Sequence, residues 1–139
     1  PAADAFVRPL RGFSLREGAG RWTDGATALL AVRVPEAAAV ALRLRFQPFV
    51  APAHAVQRVA IDANGLALGN WEFRYPADAH VIEIPLHVPA DRIPDDGQLW
   101  LRLLLPDAVA PAAIGGTADP RLLGLNLIDL QVEVPEAAS

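Results

Sequence analysis

The chain contains no cysteine, no methionine and no lysine among its 139 residues, and only two serines, Ser14 and Ser139. Without cysteine there is no disulfide, no thiolate nucleophile and no thiolate-bound zinc, although a cysteine-free domain folds on either side of a membrane. Neither serine sits in a Gly-x-Ser-x-Gly setting, which removes the usual nucleophile elbow. His54, His80 and His87 have none of the short spacings that place two ligands on one metal, and the acids lack the spacing of a recognised calcium loop. No metal and no cofactor is therefore expected. No apolar run approaches the roughly 18 residues that span a bilayer. The longest, Leu103 to Ala113, is interrupted by Pro106, Asp107 and Pro111. Basic charge is also in deficit: 12 arginines against 16 acids leave a net charge of −4, the wrong sign for gripping nucleic acid.

What is present is apolar and regular. Hydrophobic residues make up 53 % of the chain and charged residues 20 %, which predicts one compact domain with a single core. Arginine as the sole basic residue, beside abundant Ala, Pro, Gly and Leu, points to a GC-rich, bacterial genome. A chain that begins at Pro1 and holds no methionine fits a segment of a longer protein, whose location, cytoplasmic or envelope-associated, it would inherit.

The hydrophobic pattern has period two almost throughout, the signature of half-buried strands. Ala28, Leu30, Val32 and Val34 alternate with residues that include Arg33, and Val40, Leu42, Leu44 and Phe46 alternate with Arg43, Arg45 and Gln47. Val59 and Ile61 face inward and Arg58 and Asp62 outward. Asn64-Gly65 then supplies a type I′ hairpin turn. The returning strand carries Trp71, Phe73 and Tyr75 on one face, expected to be core. Ile82, Ile84 and Leu86 follow, with Pro85 marking a sheet edge or a strand end, and Val88 to Ile93 allows one helical turn. Leu99, Leu101, Leu103 and Leu105 form a core face opposite Trp100 and Arg102. In the last strand Ile128, Leu130, Val132 and Val134 oppose Leu127, Asp129, Gln131 and Glu133. Seven or eight short strands joined by Pro/Gly turns predict an all-β fold, a two-sheet antiparallel β-sandwich of jelly-roll type in preference to an immunoglobulin-like one. Residues 1–11 read as a linker or loosely docked arm, 12–134 as the sandwich and 135–139 as a tail.

Two groups of residues carry the candidate chemistry. Trp100 and Arg102 stand on the wet face of their strand, with Arg43 and Arg45 as possible neighbours. An aromatic ring and planar guanidiniums on one surface make a platform for a sugar ring and its hydroxyls or carboxylate, unless a loop or neighbouring domain covers that face. The second group is at the rim, where a jelly roll brings its first and last strands together: Arg21 and Trp22 with Asp119 and Arg121. These either line a pocket or tie the chain ends through Asp119–Arg121 or Glu17–Arg121 ion pairs. Most acids fall in turns or on wet strand faces, where they solubilise, and no catalytic residue is assigned.

The order Gly12-Phe13-Ser14, Glu17, Gly20-Arg21-Trp22-Thr23-Asp24-Gly25, Phe46-Gln47-Pro48-Phe49, Asn64-Gly65 and Asp119-x-Arg121-x-x-Gly124-Leu125 resembles a β-sandwich domain appended to bacterial glycosyltransferases and envelope-polysaccharide proteins. The similarity runs from about Gly12 to Val134 and brings no catalytic residues with it. It implies a noncatalytic accessory module shaped like a carbohydrate-binding module. Its expected partners are a saccharide or bacterial surface glycan and the catalytic domain of the parent protein, with no nucleic acid and no membrane insertion. The alternatives are a structural or protein-docking module with no glycan ligand, and a small enzyme with two close carboxylates of perturbed titration.

Overall fold

A computed structural model describes residues 6–18, 20–34, 40–115 and 117–133. Among these residues nine strands form two antiparallel sheets: β1 (Phe6–Arg11), β2 (Arg21–Trp22), β3 (Thr27–Arg33), β4 (Val40–Pro48), β5 (Val56–Ala63), β6 (Leu66–Arg74), β7 (Ile82–Val88), β8 (Gln98–Leu104) and β9 (Leu125–Glu133). One sheet has the order β1-β3-β8-β5-β6 and the other β2-β9-β4-β7, the two layers of a jelly-roll sandwich. The only helical pieces among the described residues are short 3₁₀ turns at Ala90–Arg92 and Pro111–Ile114, the first of them within the expected helical turn.

The period-two reading holds in β3, β4, β5, β7 and β8 because each of these strands has one dry face. Leu30, Val32, Leu42, Leu44, Phe46, Ile61, Leu99, Leu101 and Leu103 are almost wholly buried between the sheets. Each such side chain contributes on the order of 1.5–3 kcal/mol through removal from water. Phe46 and Phe73 meet edge to face at 5.3 Å, joining the two layers. β7, with Pro85, lies at a sheet edge, and Asn64 (φ +48°) and Gly65 (φ +86°) form the expected hairpin turn.

Four expectations are corrected. Residues 6–11 are a strand paired with β3, not a linker, because Val7 and Pro9 face inward and Val7 packs on the core; residues 1–5 and 135–139 lie outside the described part. Arg21–Trp22 does pair with the last strand, Arg21 opposite Leu127 and Trp22 opposite Asn126, but it is the second strand of the chain. A bulge at Ile128 resets β9, so that Leu127 as well as Leu130 packs on the core; simple alternation misses the extra residue. In β6 only Phe73 is fully buried. Trp71, half-buried over Gly69 at the sheet edge, still packs on the core as expected, whereas Tyr75, past the strand end, is exposed.

Candidate functional site

β8 lies at the centre of the five-stranded sheet, so its wet face is the middle of a broad surface. Three rows cross that surface. Trp100 stands beside Ala31 of β3, which in turn is opposite Arg8 of β1. Arg102 lies between Leu29 and Asp62, and Leu104 lies between Thr27 and Ala60, with Asn70 of β6 next in line. Rows two residues apart are about 7 Å apart along the strand, so Trp100 and Leu104 are separated by roughly 13 Å. Trp100 is 44 % exposed, and no loop among the described residues covers it. Ala31 faces outward yet is buried, which places its larger neighbours over it.

The residue that fixes Trp100 is Asn64. β5 ends at Ala63, and the Asn64 side chain continues its hydrogen bonding across the gap: Oδ1 accepts from the Trp100 N–H at 2.7 Å and Nδ2 donates to the Gln98 carbonyl at 3.3 Å. The Asn64 N–H also donates to the Trp100 carbonyl at 3.1 Å. By sequence alone Asn64 is a turn residue. The signal for this second role, a carboxamide at the end of a strand adjoining β8, becomes visible only with the strand order.

Next along the face, Arg102 donates to Asp62 at 2.8 Å. Beyond Leu104 the surface sinks into a hollow of about 700 Å³, floored by Thr27, Ala60 and Leu104 and walled by Asn70, Glu72 and Arg58. Small floor residues make the depression; larger ones would fill it. The wall is rigid because Arg58 grips Asp107 with both Nε (2.8 Å) and a terminal nitrogen (2.9 Å), while its backbone N–H donates to the same carboxylate at 3.0 Å. The side-chain hydrogen bond from Arg58 holds the Asp107 carboxyl below its ordinary range, against an opposing desolvation effect.

The rim group is elsewhere. Arg121 donates to Asp119 through Nε and a terminal nitrogen at 2.7–3.1 Å and to Glu17 at 2.5 Å. Hydrogen bonding from the Arg121 side chain lowers the Asp119 titration. Both ion pairs anticipated from the sequence are therefore present, and they engage this guanidinium on three sides. Arg21 donates to the Ser14 carbonyl at 3.2 Å, and Trp22 packs edge to face on Phe49 at 5.9 Å. The buried Thr23 hydroxyl accepts from the Gly124 and Leu125 N–H groups at 3.1 and 2.9 Å, completing the tie between the chain ends. Trp100 and Arg102 belong to one sheet, and Arg21 and Trp22 to the other. Arg43 and Arg45 are not neighbours of Trp100: β4 lies in the four-stranded sheet, where Arg45 pairs with Asp129, and Arg43 with Glu83 and Glu133. Among the described residues no group of three or more His, Asp or Glu side chains comes together to hold a metal.

No protein-family model matches the chain, and no curated protein matches it in sequence. Solved structures do match in shape. A family 35 carbohydrate-binding module from an environmental isolate superposes with a TM-score of 0.54 at 12 % identity, covering 94 % of this chain and 93 % of that one. The chain has the fold of a carbohydrate-binding module. A second family 35 module, from Clostridium thermocellum, gives 0.50 at 13 % identity over 94 % and 92 %. The CBM36-1 domain of a multidomain xylanase from the hindgut metagenome of Trinervitermes trinervoides gives 0.52 at 11 % identity over 96 % and 100 %. At these identities the likeness concerns the path of the backbone and transfers no ligand-binding residue.

Proposed function

We propose that this domain is a noncatalytic carbohydrate-binding module that lays a saccharide along the outer face of its five-stranded sheet. The observation that carries the reading is the exposed Trp100, held in place by Asn64 on the outer face of the central strand β8. A pyranose stacks its apolar side on an indole, and Arg102, Asp62 and the walls of the hollow offer donors and acceptors for its hydroxyls. The distance of roughly 13 Å from Trp100 to Leu104 suits a chain of sugars rather than one. The fold shared with carbohydrate-binding modules supports the same reading.

In this reading the module serves a bacterial glycosyltransferase or polysaccharide-assembly protein, raising the effective concentration of a glycan near the catalytic domain without tight affinity. Trp100 and Arg102 form the principal surface. The rim group of Arg21, Trp22, Asp119 and Arg121 is the competing one. A glycan-array screen with Trp100→Ala and Arg121→Ala variants, each checked by thermal melting, tests this. Binding lost in folded Trp100→Ala supports the sheet face, and binding lost only in Arg121→Ala moves the site to the rim.

A second reading, a docking module without a glycan, rests on Leu15 (83 % exposed) and Leu122 (45 % exposed), apolar residues on the two loops joined by Glu17–Arg121. It predicts no binding across a broad bacterial glycan set and loss of partner association in Leu15→Ser.

A further inference from the structure

The face that carries Trp100 is electrically lopsided. On the β5–β6 side its arginines are matched: Arg102 faces Asp62, Arg58 faces Asp107 and Arg74 faces Glu72. On the β1–β3 side Arg8, Arg11 and Arg33 have no carboxylate partner among the described residues. The strand registers turn all three outward: Arg8 is opposite Ala31, Arg11 opposite Leu29, and Arg33 opposite Gln98. Arg8, Arg33 and Gln98 surround a pocket of about 120 Å³ whose floor is Ala31. Among the described residues an acid that contacts a lining residue is Asp96, whose carboxylate accepts from the Gln98 backbone N–H at 3.0 Å and belongs to the turn before β8.

Arg8 and Arg33 are diagonal across the β1–β3 pair, about 7–8 Å apart at the backbone, so their long side chains converge over Ala31. Two guanidiniums that converge in this way repel each other, and an anion between them reverses that term and accepts hydrogen bonds from both. Trp100 stands against the same Ala31 on the other side. A sugar stacked on Trp100 therefore has its neighbouring substituent over the pocket. Two cations with no compensating carboxylate among the described residues favour a doubly charged group over a singly charged one.

The geometry points to a phosphate subsite: Arg8 and Arg33, with Gln98, bind a phosphomonoester carried by a saccharide whose ring lies on Trp100. This deepens the carbohydrate-binding reading above and rests on it. The phosphomonoester is held by charge-assisted hydrogen bonds from the two guanidiniums. The hydrophobic contact with Trp100 orients the ring.

The test compares an oligomannoside bearing a 6-phosphate with the same oligosaccharide after phosphatase treatment, by calorimetry on the wild-type domain and on Arg8→Gln, Arg33→Gln and Trp100→Ala. Arg45→Gln, on the outer face of the other sheet, is the control for loss of one positive charge. The phosphorylated sugar is expected to bind about tenfold tighter or more, equivalent to one net charge-assisted hydrogen bond. That advantage should vanish in Arg8→Gln and Arg33→Gln while binding of the neutral sugar persists. It should also shrink as the phosphate loses its second charge below about pH 6. Equal binding of the two sugars overturns the subsite and leaves the carbohydrate reading standing. A matched uronate gaining as much as the phosphate overturns the preference for a dianion. Absence of binding by either sugar overturns the phosphate subsite as stated, and absence of binding across the broad glycan array as well overturns the carbohydrate reading.

Discussion

The Asn64 carboxamide oxygen accepts the backbone N–H of Trp100 at 2.7 Å, and the Asn64 N–H returns a bond to the Trp100 carbonyl at 3.1 Å. One turn residue therefore closes a hairpin and anchors the strand that presents the exposed indole. The left-handed backbone of Asn64 (φ +48°) makes this possible, since it brings the side chain back along the sheet toward β8.

Replacing Asn64 with Gly separates those two roles. Glycine keeps the positive φ but removes the carboxamide, so stability should fall by about 1–2 kcal/mol for the lost hydrogen bonds. Affinity for a saccharide should also fall, although Asn64 need not touch the ligand. Chemical denaturation and binding isotherms on the same sample check this. Unchanged affinity with lowered stability would confine Asn64 to the turn.

Thr23 should be among the costliest polar positions in the chain. Its buried hydroxyl is the acceptor for two backbone N–H groups, those of Gly124 and Leu125. Thr23→Val keeps the shape and leaves both donors without a partner, an expected loss of about 2–4 kcal/mol, while Thr23→Ser should recover most of it. Urea unfolding midpoints of the three proteins decide the matter.

Asp107 predicts a specific dependence on acid. Hydrogen bonding from Arg58 lowers its titration in the folded state, so its contribution to stability is fully present above the unfolded value of about 3.9 and is lost as pH falls through the lower folded value. Melting temperatures of wild type and Asp107→Asn should differ near neutrality, with wild type higher. The difference should close only below about pH 4. A difference that stays constant through that range would mean that the Arg58 pair contributes nothing through charge.

Gly97 should tolerate no side chain. Its φ of +72° is strained for other residues, and a Cβ there would collide with the Val34 carbonyl oxygen, which belongs to the chain just after β3. The Gly97 carbonyl in turn accepts from the Val34 N–H at 2.9 Å. Gly97→Ala should cost more than the roughly 1 kcal/mol of an ordinary glycine replacement, read from its melting temperature. The same substitution at Gly65, where a Cβ meets nothing, should cost only the strain of its φ.

The sequence by itself determined which side of most strands is dry, because a half-buried strand must alternate and a single residue's polarity records its face. From that rule came the inward Leu99, Leu101 and Leu103 of β8 and the outward Trp100 and Arg102, while the Asn64-Gly65 turn followed from local turn chemistry and the all-β sandwich from the number of such strands. The tertiary structure decided which strands are neighbours. Pairing joins residues as distant as Asn64 and Trp100, 36 positions apart, and alternation has the same period whichever strand lies alongside. So the arginines near Trp100 are Arg8 and Arg33 rather than Arg43 and Arg45, and the supposed arm became an edge strand once β3 offered it a partner. The bulge at Ile128 was hidden for the same reason: an extra residue is accommodated only against a particular partner strand, here β4, and local polarity carries no record of that partner.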